Sequence, residues 1–192
     1  MGQKAITIYT PDGETPHISA DDDAFIYRTI FGAESGILGG LTCMKSSGNS
    51  LRLTGGGVMN RGRILRIPDG EEVELTVANG TAGYRRYDSV IAELIKGGGD
   101  TADIFRIRLL TGAPAADAPQ APSLTKSSLL NQGDCHQVEL FRVLIEGTDI
   151  SSVNRVAVVL TAANGGSGGR MTWGTDAPSG GSDGDIYFRI VG

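Results

Sequence analysis

The sequence is poor in most of the features that would disclose a chemistry. Aromatic residues make up 6% of its 192 positions. The histidines are two, His17 and His136, and the cysteines are two, Cys43 and Cys135. No run of lysine or arginine exceeds the Arg85-Arg86 pair, and net charge is −5. Nucleic acid and anionic membranes are therefore poor partners, because both are bound by concentrated positive charge. No apolar run approaches the roughly eighteen residues that cross a bilayer, so membrane insertion is not expected. The opening MGQKAITIYT is too short in its apolar part for a signal peptide, and synthesis in a cytoplasm is the expectation. Two cysteines so far apart read as reduced thiols at small, partly buried positions. Asp134-Cys135-His136 is no metal pair either, since neighbours on a strand point to opposite faces. His-Glu-x-x-His, Cys-x-x-Cys and Gly-x-Ser-x-Gly are all missing, and so are cofactor signatures.

Glycine, by contrast, is plentiful. The 29 glycines are roughly twice the usual share, and many turns favour short strands and a β-rich fold. Hydrophobic residues at 40% are enough for one real core. The expectation is a mainly β, antiparallel sandwich or barrel-like domain over residues 1–163. One short N-terminal helix precedes its strands, and a Gly-rich linker and C-terminal assembly segment follow over residues 164–192.

Gly55 to Lys96 organises the chain. Ile64 to Ile67 form an apolar run closed by Pro68-Asp69-Gly70. Val73, Leu75 and Val77 alternate with Glu72, Glu74 and Thr76, so one face is buried and the other wet. Asn79-Gly80 reads as a tight turn, and Ser89 to Ile95 as a third strand. The expectation is a β-meander. Upstream, Ala5 to Thr10 reads as a short strand. Asp21 to Phe31 reads as a helix capped by Ser19 or Asp21 and closed by Gly32, with Phe25, Ile26, Thr29 and Ile30 on one face. Leu41 to Met44 and Leu51 to Thr54 form a hairpin. Downstream, Ile104 to Leu110, Val138 to Ile145 and Val153 to Leu160 are strands. The Ala-Pro-rich Thr111 to Leu124 has to cross the surface without regular structure, and a helical turn is expected near Ser127 to Leu130.

Carboxylates cluster at Asp21-Asp22-Asp23, Glu71-Glu72 and Asp183-Gly184-Asp185. The first suits a helix N-terminus, the second the mouth of a turn, and the third lacks the further acidic ligands of a calcium loop. A hydrolase would need two carboxylates brought together from distant strands. Arg61, Arg63, Arg66, Arg85 and Arg86 either pair across strands with Glu72, Glu74 and Asp88 or face a partner subunit.

The order of Gly62-Arg63-Ile64, Arg86-Tyr87-Asp88-Ser89-Val90, Thr111-Gly112-Ala113-Pro114-Ala115-Ala116, Ala121-Pro122-Ser123-Leu124 and Glu139-Leu140-Phe141-Arg142-Val143 resembles a family of phage tail and baseplate proteins. The stretch from Trp173 to Phe188, ending Gly184-Asp185-Ile186-Tyr187-Phe188, is similar to a motif of tail-fibre proteins. The resemblance implies a virion structural protein of a tail tip or baseplate, commonly trimeric, that assembles with other tail proteins or docks a host-attachment apparatus. No large receptor-binding head follows Gly192, so assembly or an adaptor role is expected over direct host recognition. The residues expected to carry it are Arg61, Arg63, Tyr84, Arg86 and Tyr87, with Trp173, Ile186, Tyr187 and Phe188 as a C-terminal clasp. The alternative is a receptor-recognition module that binds a cell-surface glycan on an aromatic platform of Tyr84, Tyr87, Trp173 and Tyr187. Catalysis and cofactors are not expected.

Overall fold

The computed structural model describes residues 19–161, 171–174, 177 and 186–189. The expected strand at Ala5 to Thr10, the Gly-rich run after Ala163 and the Asp183/Asp185 pair lie outside these residues. Strand accounts for 53% of the described residues and helix for 8%, so the fold is mainly β. One helix, α1 (Ala20–Phe31), precedes β1 (Ser35–Leu38), β2 (Thr42–Lys45), β3 (Ser50–Asn60), β4 (Arg63–Thr76), β5 (Arg85–Ile95), β6 (Ile104–Leu110), β7 (Cys135–Glu146), β8 (Asp149–Arg155) and β9 (Val159–Leu160). Beyond these, β10 (Met171–Gly174) and β11 (Ile186–Arg189) pair with each other in parallel.

Two sheets form the body. In the first, β4 runs along one side of β3, while β2 and β1 lie end to end along the other. β9 adds to β1 in parallel. The second sheet is antiparallel in the order β6-β5-β7-β8. Their facing sides share one core, in which Ile37, Leu51, Leu53, Val58 and Ile67 meet Val90, Ala92, Leu140, Val143 and Ile145. Each buried Val, Leu or Ile among them contributes about 1.5–3 kcal/mol relative to exposure.

The expected meander is not what forms. Arg63 to Thr76 runs as one strand along β3, and Pro68-Asp69-Gly70 forms a bulge inside it, where residues 68–71 stand against Gly55 alone and Gly70 takes φ 83°. A proline is tolerated there because residues 68–71 of β4 have no ladder partner on β3, so its missing N–H breaks no ladder bond. On either side of this segment Arg63 and Val77 both bond to β3, so the odd-numbered residues of β4 there point their main-chain groups inward. The same line crosses the whole sheet. Gly39-Gly40 interrupts the β1–β2 edge, and Gly56 takes φ 151° with its Cα hydrogen against the backbone of Leu41. The sheet bends along this row of glycines.

Asn79-Gly80 likewise is no hairpin turn. It begins the connection that carries the chain from the first sheet to the second, since β4 and β5 are not neighbours. Period-two alternation gives the strand and its inward face correctly, but it does not say which strand lies alongside. The hairpin from Leu41 to Thr54 does form, as β2 against β3. The strand expected at Ile104 to Leu110 has those bounds. The expected last strand is divided between β8 and β9, and the expected turn of helix at Ser127 to Leu130 is replaced by extended chain. There Lys126 bridges His136, and Leu129 takes a left-handed φ of 61°.

Helix α1 is capped as its sequence directs. Ser19 Oγ accepts from the Asp22 backbone, Asp22 returns a bond to the Ser19 N–H, and Gly32 closes the helix at φ 60°. Its expected apolar face, however, is not its buried face. Phe25 and Ile30 are exposed, and Ala24 alone is buried. Only so small a side chain fits here, because the helix lies against Gly62, whose Cα faces the Ala24 backbone.

Thr111 to Leu124 crosses as expected. Ala115 bridges Arg85 on the β6 side of the second sheet, and Thr125 receives the Gln137 N–H on the β8 side. The chain between them must pass over the sheet. Ile91, on the face of β5 turned from the core, is fully buried, which this crossing explains.

Candidate functional site

The five meander residues expected to share an interface separate into three places. Arg86 is 5% exposed and its guanidinium is turned inward. Its Nε donates to Asp88 Oδ1 at 2.9 Å, and its Nη atoms donate to Asn79 O and Ala78 O. Asp88, fully buried, also accepts from the Gly112 N–H at 2.9 Å. One ion pair thus fastens two loops to the second sheet, and Arg86 is not an interface residue. Tyr87 is half-buried, with the Arg142 guanidinium 5.8 Å from its ring centroid. Tyr84 is open at 46% exposure.

Arg61 and Arg63 occupy a different end of the molecule, at the β3–β4 turn. Asn60 and Arg63 are paired, so Arg61-Gly62 is a two-residue turn, and both residues have positive φ, at 52° and 80°. That is the type I′ arrangement, in which an arginine is an uncommon first residue. Arg61, Arg63, Arg28 and Lys96 line a cleft of roughly 210 Å³ beneath α1, together with Asp21, Asp103 and Leu129. The two described non-glycine residues with positive φ both stand in its wall.

The cleft's charges are largely spent on one another. Arg61 reaches Glu34 at 2.9 Å, Arg63 reaches Asp21 at 2.6 Å, and Lys96 lies 3.5 Å from Asp21. The bond from Arg63 and the nearby Lys96 hold the Asp21 carboxyl below its ordinary range. Arg63 Nε is buried and meets only Asp103, at 3.5 Å. This lattice ties α1 to the end of the sandwich.

Asn60, fully buried beside the β3–β4 turn, donates through Nδ2 to Ala92 O and His136 O. Its Oδ1 therefore accepts, and His136 Nδ1, 2.7 Å away, carries the proton. Burial, and then the positive charge of Arg61, push the His136 pKa down, so it stays neutral and structural. Burial raises both thiols, Cys43 to about 12, so neither is activated as a nucleophile. Among the described residues no three His, Cys, Asp or Glu side chains converge on a point where an ion could sit.

On the outer face of the second sheet, Glu93 is the most confined carboxylate. It accepts from Arg106 at 2.7 Å, Arg108 at 2.7 Å and Gln137 at 2.7 Å. Burial alone would raise its pKa, but these donors outweigh that and hold it near 2. Beside it Glu139 accepts from Arg142 and Ser89, which likewise outweigh burial and lower its pKa. Carboxylates so stabilised as anions are fasteners, poorly placed to take a proton at neutral pH.

Among the described residues β4 is the longest outer strand, beside the shorter edges β6 and β8 of the second sheet. Among the described residues it pairs with β3 alone, so its other edge presents unbonded main-chain groups along 14 residues. Leu65, Val73 and Leu75 point to the core but stay only half-buried at this open side. Ile64 is 42% exposed on the opposite face. The charges run in blocks, with Arg63 and Arg66 before the bend and Glu71, Glu72 and Glu74 after it. That asymmetry was present in the sequence, but its meaning depends on β4 being one strand and an outer one.

Of the expected C-terminal clasp, Trp173 lies on β10 directly opposite Phe188 on β11, and Ile186 and Tyr187 pair with Met171 and Thr172. The apolar cluster expected of their side chains falls outside the described portion. No protein-family model matches the chain, and no curated protein matches it.

Proposed function

We propose that this chain is a non-catalytic structural subunit of a phage or prophage-derived tail tip or baseplate, acting by docking to neighbouring subunits in the virion. The observation that carries the reading is the open edge of β4. Among the described residues this strand of 14 has one unpaired edge and a half-covered apolar row, and in a soluble protein such an edge is a hazard unless something covers it. The order of motifs from Gly62 to Val143 supplies the tail context. The buried ionisable groups act as fasteners, which agrees with a part built to bear contacts.

The test is to express the tagged chain from the phage or prophage that encodes it, purify tails away from heads, and probe each fraction. The reading expects the chain in the tails, and tails that are defective or lack their tip when its gene is deleted. Recovery only as free chain, with intact tails in the deletion, would end it. A carbohydrate-binding reading needs an open aromatic platform, and Tyr84 is the side chain on which it would rest. Glycan binding abolished by Tyr84→Ala would move the assignment there.

A further inference from the structure

We propose that the free edge of β4 pairs with the same strand of a second copy, antiparallel about a two-fold axis through Gly70. The inference deepens the assembly reading by naming the surface and its partner. It starts from the main chain. Asn60–Arg63 closes a two-residue turn and is therefore a hydrogen-bonded pair, and the Val77 N–H bonds to Asn49 O. Counting from either end, odd-numbered residues of β4 bond to β3, and Ile64, Arg66, Glu72, Glu74 and Thr76 present N–H and C=O outward. An antiparallel partner must align outward residues with outward residues, so only registers with an even sum of residue numbers are allowed.

Side chains select among these. With Gly70 on the axis, Arg66 of one copy stands opposite Glu74 of the other, and symmetry repeats the pair. On the core side, Leu65 meets Leu75 and Ile67 meets Val73, so the half-buried row becomes one continuous apolar layer. Sliding the register by two in one direction places Ile67 opposite Glu71 and Ile64 opposite Glu74, and sliding it in the other places Arg66 opposite Thr76 and Glu71 opposite itself. Parallel in-register pairing would set Arg66 against Arg66 and Glu74 against Glu74. Glu74 has no ion-pair partner among the described residues, and Arg66 has only the exposed Asp69 at 3.4 Å.

The features that discourage indiscriminate edge pairing, Pro68 and the glutamates, here restrict it to one register. Pro68 of each copy falls opposite Glu72 of the other, at the bend, so two hydrogen bonds are forgone in the dimer. Because the axis stands perpendicular to the sheet, both copies turn their core faces the same way, and the two bends coincide. A three-fold arrangement, as the family resemblance implies, would have to use another surface.

The experiment is sedimentation and light scattering of the full chain over a wide concentration range. The proposal expects a dimer. Arg66→Glu and Glu74→Arg should each raise the dimer dissociation constant about tenfold or more, since every substitution alters two symmetric pairs. The doubly exchanged chain should regain the wild-type value. In a hydrogen-bonded antiparallel pair, Cα atoms lie about 5.5 Å apart, within disulfide reach. A mixture of Ile64→Cys chains with Thr76→Cys chains should therefore give a covalent dimer on oxidation that neither gives alone. A monomer at every concentration overturns the proposal, as does a dimer indifferent to the charge reversals or lacking the mixed cross-link. A dimer absent from tails would refute the tail assignment and leave this inference standing. A monomer found in tails would do the reverse.

Discussion

Replacing Glu93 by glutamine tests whether the outer face of the second sheet is held by charge. The carboxylate is nearly buried, and its pKa is held near 2 against an ordinary 4.5. A depression of that size corresponds to at most about 3 kcal/mol of stability at neutral pH. Arg106 and Arg108 are 52% and 37% exposed, so solvent screening reduces the realised value to about 1–2 kcal/mol. The sign follows from the direction of the shift. The unfolded chain takes up the proton first, so the contribution is complete above about pH 5 and is lost as pH falls from 4.5 towards 2. Glutamine keeps the shape and one acceptor but never carries the charge. Glu93→Gln should therefore lower the melting temperature by about 3–8 °C at pH 7, using the few degrees per kcal/mol expected for a chain of this length. The difference should shrink steadily on acidification and vanish near pH 2–3. Thermal and urea unfolding followed by circular dichroism across that range measure it. Stability curves that stay parallel at every pH, or coincide at pH 7, would refute the electrostatic account.

Two further substitutions probe the other fasteners. Arg86→Ala strands the fully buried Asp88 with only a backbone donor, and should cost about 3–5 kcal/mol in urea unfolding. Adding Asp88→Asn should recover part of that loss, because the charge left unpaired is then gone. Gly112→Ala would drive a methyl into Tyr87 O, where the chain leaves β6 to begin its crossing. A loss of more than about 2 kcal/mol is expected, with the melting point as the readout.

The sequence disclosed what local physics controls. Ser19, Asp22 and Gly32 cap the helix because capping needs only neighbours along the chain. Ile104 to Leu110 and the Leu41–Thr54 hairpin followed from alternation and short turns. The failures came where a local signal has two uses. Pro68-Asp69-Gly70 has the composition of a turn but serves as a bend, because the glycines of β3 and of the β1–β2 edge face it and because residues 68–71 hold no ladder bond for a proline to break. Phe25 and Ile30 have the spacing of a buried face, but the approach of Gly62 admits only Ala24. Arg86 and Arg61 look alike in sequence, and one is a buried staple while the other stands over a cleft. Which of the two an arginine becomes is decided by long-range packing, which periodicity does not carry.

The central claim is that β4 is completed by another copy of itself, and amide hydrogen exchange resolved by residue tests it most directly. The amides of Leu65, Ile67, Val73 and Leu75 bond to β3 and should be protected at any concentration. Those of Ile64, Arg66, Glu72, Glu74 and Thr76 should be protected at high protein concentration and lose that protection together on dilution. Outward amides that exchange freely at every concentration would contradict the account.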